Sequence, residues 1–328
     1  MIERVGVRAD PLISEASVTH TTTAAHGAGR PQRRRYLTIA AFLLPALTVY
    51  GLFVLLPIAQ AAVYSLFDWN GLTPLTDFVG LDNYTRAFND TVFQMAAWHN
   101  VLIIVLSLTL QIPFALWLAL QLNRQFRGRT VLRVLFFAPY VLSEVVTGVV
   151  FQLMLYPSGV VDRSLESVGL GFLVHEWLAD RSIVMMTMFV VISWKYFGFH
   201  MILMLAGLQG IPRELEEAAA IDGATRRQTV RSVILPLLGP TIRVSVFLSI
   251  IGAIQIFDLI WATTRGGPFN ASNTMAVYLV DYGIKRTQMG YGSAIAVILF
   301  VVCLVVALAY LRLVMRRDTE GAVTLGGG

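Results

Sequence analysis

Charge is scarce in this sequence. Only 14% of the 328 residues are Asp, Glu, Lys or Arg, where soluble domains carry about 25%. A water-soluble surface at this length needs roughly twice the charge present, which excludes an ordinary cytosolic enzyme and a disordered chain. Cysteine is nearly absent as well. Cys303 stands alone, so the sequence can form no internal disulfide and no cysteine-based metal site. His20, His26, His99, His175 and His200 are scattered, and neither an H-E-x-x-H pair nor a paired-carboxylate cluster occurs; a membrane enzyme is therefore set aside. A G-x-x-x-x-G-K-[ST] phosphate loop is also missing, so no nucleotide hydrolysis is expected of the chain itself.

What the chain has in quantity is apolar surface. Hydrophobic residues make up 56% of it and the mean hydropathy is +0.68. A bilayer core needs about 20 mostly apolar residues in helical form. Six stretches meet that need: Leu37–Leu66, Val101–Leu122, Val131–Tyr156, Ile183–Leu208, Ile242–Thr263 and Tyr291–Leu313. The first is longer than required and is expected to tilt or to begin at the interface. Pro45, Pro57 and Pro113 are read as helix kinks. None of the six alternates with the two-residue period of a barrel strand. The expectation is an all-α polytopic membrane protein with six transmembrane helices.

The basic residues set the orientation. The net charge is +5 and the pI near 9.5, and in a membrane chain such an excess anchors the cytoplasmic face rather than nucleic acid. Eighteen Arg fall before span 1, around the start of span 3, between spans 4 and 5, and after span 6. Six Arg or Lys fall on the other side, and Lys195 lies inside span 4. Both termini are therefore expected in the cytoplasm. Residues 1–36, rich in Thr, Ala, Gly and Arg, and residues 318–328 read as disordered tails flanking a membrane domain at 37–317. No cleavable signal peptide is expected, because the apolar run that follows is too long.

The most informative stretch is cytoplasmic, Ile211-Pro-Arg-Glu-Leu-Glu-Glu-Ala-Ala-Ala-Ile-Asp-Gly-Ala-Thr-Arg-Arg-Gln-Thr-Val-Arg-Ser-Val-Ile-Leu-Pro236. Pro212 suits a helix start, and Glu214, Glu216 and Glu217 complement the positive end of the dipole. Leu215, Ala218, Ala219 and Asp222 share one narrow face of small residues, and Gly223 can end the helix in a left-handed cap. A second helix is expected from about Thr225 to Leu235-Pro236. Such a helix-turn-helix suits docking in a partner's groove; the same pattern also fits an amphipathic loop lying on the headgroups.

Glu217-Ala218-Ala219, then Asp222-Gly223-Ala224, then Leu235-Pro236 resembles the EAA loop of the inner-membrane permeases of binding-protein-dependent ABC importers. The glycine follows Glu217 by six residues and Leu-Pro follows that glycine by twelve. Val230 and Val233 depart mildly from the family pattern. Phe78-Val-Gly-Leu-Asp-Asn-Tyr84, Leu135-Phe-Phe-Ala-Pro-Tyr140, Ala206-Gly-Leu-Gln-Gly-Ile-Pro212, Phe257-Asp258, Gly266-Gly-Pro268 and Met289-Gly-Tyr-Gly-Ser-Ala294 resemble the carbohydrate subfamily, of maltose and glycerol-3-phosphate permease type. The resemblance implies a type I importer permease fold in a bacterial plasma membrane, with the segment 211–240 as coupling loop. It implies a second, similar permease as partner in a heterodimer, a cytoplasmic ATPase dimer carrying ATP and Mg²⁺, an extracytoplasmic solute-binding protein and a sugar substrate. It carries no cofactor over to this chain. Glu217, Ala218, Ala219, Asp222, Gly223, Leu235 and Pro236 are the coupling residues it implies.

Solute contacts are sought among polar groups inside the spans, because an ionisable group at the bilayer centre costs about 2.5–3.5 kcal/mol. Glu144 and Lys195 lie near the middles of spans 3 and 4, and Asp258 near the outer end of span 5. Glu144 either pairs with Lys195 or accepts hydrogen bonds from sugar hydroxyls. Ser249, Gly252, Gln255 and Ile256 recur on one stripe of span 5, and Gln152 and Tyr156 lie toward the outer end of span 3. The solute-binding candidates are therefore Glu144, Gln152, Tyr156, Ser249, Gly252 and Gln255, with helix packing the competing role for Ser249, Thr147 and Gly252. Acidic rather than basic groups in this region favour a neutral sugar over glycerol-3-phosphate. A secondary carrier would show internal repeats or broken helices bearing ion-coupling acids, and would leave the EAA segment unexplained.

Overall fold

Residues 31–315 are described by the computed structural model of the chain. Among them every regular element is helical, and strand geometry is confined to one bridge between Phe67 and Phe78. The chain divides into two compact units, Met1–Leu56 and Pro57–Gly328. The described part of the first is α1 (Pro31–Tyr50) followed by a wide turn at Gly51–Leu55. Residues 31–36, the end of the expected N-terminal tail, fall within α1. Residues 1–30 of that tail, and 318–328 of the other, lie outside the described residues.

The remaining helices are α2 (Leu56–Tyr64), α3 (Asp82–Asn89), α4 (Thr91–Leu106), α5 (Ile112–Leu122), α6 (Arg129–Val141), α7 (Glu144–Met154), α8 (Val160–Ser167), α9 (Val184–Gln209), α10 (Arg213–Ile221), α11 (Arg226–Thr229), α12 (Leu235–Gln255), α13 (Asp258–Thr263), α14 (Met275–Leu279) and α15 (Met289–Tyr310). Five continuous stretches are long and apolar enough to cross a bilayer: Thr38–Tyr64, Thr91–Leu122, Val184–Gln209, Arg226–Gln255 and Met289–Val314. The pair α6 and α7 meets that test only together, bent by 97° at the break. Counted as one broken span, the pair brings the total to six.

Three boundaries differ from the sequence expectation, each for a local reason. Span 2 begins at Thr91 rather than Val101, because the Asp90 carboxylate accepts from the backbone N–H groups of Val92 and Phe93 and caps the helix there. Span 3 is not continuous from Val131 to Tyr156. Leu142 and Ser143 are extended (ψ 144° and 141°), and their freed backbone groups find partners on α9 and α7. Span 5 runs from Arg226 to Gln255 instead of from Ile242 to Thr263; it stops where Ile256 turns extended (ψ 122°), and α13 is a separate helix.

Prolines are accommodated by wide turns. Ser107–Gln111 and Val230–Ile234 are π-helical, and Pro113 and Pro236 follow each by two residues. A proline ring collides with the carbonyl four residues back and offers it no N–H; the wider turn relieves both demands. The helix consequently runs straight through Leu235-Pro236, where the sequence reading placed an end.

α9 is the central element. It packs against α4, α5, α6 and α12, and Val184, Met188, Met201 and Met204 on it are fully buried. A helix apolar on all sides has to be enclosed by others. One core cluster gathers Met188, Val191, Leu259 and Ile260, a second gathers Ile112, Leu118, Met204 and Leu238, and a third gathers Phe93, Ile254, Tyr291 and Ile295. Beside the first cluster, α4, α6, α7, α9 and α12 surround a cavity lined by polar as well as apolar side chains.

Candidate functional site

The cavity measures about 380 Å³. Its wall is built from the π turn after α4, the break between α6 and α7, one face of α9 and the outer half of α12 through Asp258. Tyr140 stacks on Phe199 with centroids 4.9 Å apart and meets Tyr196 edge-on at 6.1 Å. Aromatic faces thus stand beside carboxylate, amide and hydroxyl groups. Glu144 and Asp258 both line the cavity, and among the described residues no Lys or Arg does.

The π turn places Ser107 and Gln111 on the cavity wall, 3% exposed each. The Ser107 hydroxyl donates to Gln111 Oε1 at 3.0 Å, which leaves Gln111 Nε2 buried with no partner. An unpaired buried donor costs about 1–3 kcal/mol, and the residue that carries it is part of the cavity wall. Opposite, His200 Nδ1 shares a 2.7 Å hydrogen bond with Ser245 Oγ, which fixes the ring against the same cavity.

Glu144 and Lys195 do not form an ion pair. The Tyr196 hydroxyl donates to Glu144 Oε1. The Lys195 ammonium instead donates to the carbonyls of Leu142 and Tyr140, the latter at 3.5 Å. Glu144 lines the cavity, with the Tyr196 hydroxyl as its partner.

Among the six solute candidates, Glu144, Ser249, Gly252 and Gln255 line one cavity. Gln152 and Tyr156 do not; both lie beyond the 97° bend, exposed on or after α7. A Cβ added to Gly252 would meet nothing within 4 Å, so this glycine keeps space open rather than packing a neighbour. Packing falls instead to Gly148, where an added Cβ would sit 2.6 Å from Ala262 Cβ. Thr147 is buried, its hydroxyl bonded to the Ser143 carbonyl at 2.9 Å. Gln255 Nε2 lies 3.9 Å from Cys303 Sγ. The sequence candidates omit Ser107, Gln111, Tyr196 and His200, although a polar residue two positions before an intramembrane proline was a usable signal at Gln111.

The other candidate set lies on α10 and after it. Gly223 stands at φ +79°; its N–H donates to the Ala220 carbonyl at 3.1 Å, and Ala224 N–H donates to Ala219 at 2.9 Å. That pair of bonds is a Schellman cap, which favours glycine at this position. Thr225 and Gln228 then form a capping box that opens the next helix. Glu217, Ala218, Ala219, Asp222 and Gly223 are therefore gathered at the capped C-terminal end of α10, while Leu235 and Pro236 sit further along the helix that follows. Ile221, at the end of α10, is 87% exposed. A cleft of about 370 Å³ beside α10 brings Glu216 and Glu217 together with Arg124, Arg213 and Arg226.

Comparison with known proteins places these features in a family. Residues 111–318 match the family described as binding-protein-dependent transport system inner membrane component. The diacetylchitobiose uptake system permease protein NgcF of Streptomyces coelicolor is 33% identical over 326 residues, covering 94% of this chain and 91% of that one. The multiple sugar-binding transport system permease protein MsmF of Streptococcus mutans is 34% identical over 273 residues, covering 83% and 93%. In the crystal structure of a bacterial alginate ABC transporter in complex with alginate pentasaccharide-bound periplasmic protein, one chain matches with a TM-score of 0.76 at 24% identity, covering 88% of this chain and 96% of that chain. By sequence and by fold, then, this chain belongs to the inner-membrane permease components of binding-protein-dependent ABC importers.

Proposed function

We propose that the chain forms half of the translocation pathway of an ATP-driven sugar importer in a bacterial plasma membrane, with both termini cytoplasmic. The observation that carries the substrate class is the cavity: carboxylate, amide, hydroxyl and aromatic groups line it together, and among the described residues no Lys or Arg joins them. That lining suits a polyhydroxylated solute, and the names of the sugar permeases related to the chain support the same reading. Two carboxylates without a cation disfavour a phosphorylated solute such as glycerol-3-phosphate.

α10 is the element we assign to coupling. It is short, capped at its end and solvent-facing, with Ile221 exposed, as a helix seated in a partner's groove requires. The partner is a cytoplasmic ATPase dimer that holds ATP and Mg²⁺ and pulls this helix, with that of a second homologous permease, as it closes and reopens. An extracytoplasmic binding protein delivers the sugar. The test is purification of the tagged chain from membranes in mild detergent, with ATPase assay of the eluate and a sugar panel on any co-purified binding protein. Recovery of a second permease, an ATPase and a sugar-loaded binding protein is expected. A chain that emerges alone, without ATPase even after crosslinking at α10, contradicts the proposal.

A further inference from the structure

Lys195 is 2% exposed and lies in the middle of a membrane-spanning helix, and among the described residues no carboxylate stands within ion-pairing distance of it. A lysine so placed requires a reason. Its surroundings supply one. α6 ends at Val141, and the 97° bend leaves its last carbonyls without helical partners. In an apolar layer each unpaired carbonyl costs several kcal/mol. The Lys195 ammonium has three donors, and it gives two of them to Tyr140 and Leu142, at the negative end of the α6 dipole.

The next residue on α9 holds the other side of the break. Tyr196 donates to Glu144, the first residue of α7. Gly198 lets the two helices close, since a Cβ there would run into the Phe136 carbonyl on α6. One turn of α9 therefore grips the end of α6 with a cation and the start of α7 with a phenol. We infer that Lys195 is a positioning residue: it stabilises the break in span 3, and the break is what swings Glu144 into the cavity. The weight of this clamp for transport rests on the proposed solute path, whereas the clamp itself does not.

The test uses the full-length chain in its assembled transporter, reconstituted in nanodiscs, with Cys303→Ala and nitroxide labels at Val131→Cys and Leu153→Cys, two sites 68% and 69% exposed. A straight helix would separate these Cα atoms by about 33 Å, and arms bent by 97° by about 22 Å. With Lys195 present, and in Lys195→Arg, the short distance is expected. Lys195→Met should lengthen the mean by up to about 11 Å or broaden the distribution toward the straight form. Should Lys195→Met not accumulate in membranes, Lys195→Gln is measured for the same change. An unchanged distribution in either neutral variant overturns the inference. A second readout follows Glu144→Cys reacting with a cationic, membrane-impermeant methanethiosulfonate. Labelling at least tenfold slower with Lys195→Met is expected, and equal rates with and without Lys195 overturn the positioning role. No labelling even with Lys195 present, beside a shifted distance, leaves the clamp standing and contradicts the solute path instead.

Discussion

The side-chain amide of Asn100 on α4 donates to the carbonyl of Ala253 on α12 at 2.7 Å, and to that of Ile254 at 3.2 Å. Its oxygen accepts the backbone N–H of Met275 at 3.0 Å. One buried asparagine therefore ends the helix that lines the cavity and begins α14. Asn100→Ala should leave these groups unpaired at about 1–3 kcal/mol each. A clear drop in melting temperature of the detergent-solubilised protein is the expected result, and a melt matching the parent would show the cap to be dispensable.

Two glycines offer opposite outcomes from the same change. Gly198 lies against the α6 backbone, so Gly198→Ala forces the helices apart and should destabilise by about 1–3 kcal/mol. At Gly252 a methyl meets no neighbour, so Gly252→Ala should stabilise by about 0.5–1 kcal/mol through helix propensity. Paired thermal melts decide it, and equal shifts of one sign would contradict the packing described.

Gln111 separates function from stability. Because the buried Ser107 hydroxyl donates to Gln111, Gln111→Leu is paired with Ser107→Ala; removing both partners together should leave the fold about as stable. Sugar uptake by the reconstituted importer should nonetheless fall, because the amide on the cavity wall is gone. Loss of stability together with unaltered uptake would assign Gln111 a structural role.

Glu144→Gln removes a charged acceptor worth about 1.5–3 kcal/mol to a hydroxyl partner. The apparent KM for uptake should rise by about 10- to 100-fold, with a smaller effect on basal ATPase activity. Tyr196→Phe, which frees the carboxylate without removing it, should shift KM in the same direction by less. Unaltered KM in both variants would take Glu144 out of the solute path.

The helices were legible in the sequence because length and hydropathy alone define a membrane span. Gly223 was legible because a left-handed cap after an alanine-rich turn calls for glycine. The break in span 3 was not, since Val131 to Tyr156 reads as one apolar run and the groups that stabilise the break, Lys195 and Tyr196, come from another helix. The same distance hid the cavity. Ser107 and Gln111 reach it through a π turn, which no periodicity announces, and Gln152 and Tyr156 miss it because the chain turns by 97° before them.

Coupling predicts loss without misfolding. Gly223 has open space around it but a positive φ, so Gly223→Asp strains the cap by about 1–2 kcal/mol and displaces the end of α10. Glu217→Lys reverses the charge of an exposed side chain on the same helix. Both variants should insert normally and abolish uptake. Normal uptake at normal expression would remove the coupling assignment.

The most direct measurement places a single cysteine at Ile221, in a Cys303→Ala background, and crosslinks it in native membranes with and without ATP. The proposed coupling predicts an adduct with an ATP-hydrolysing subunit, its yield changing when nucleotide is added. Absence of any such adduct under both conditions, with Ile221→Cys labelled freely by an aqueous thiol reagent, would contradict it.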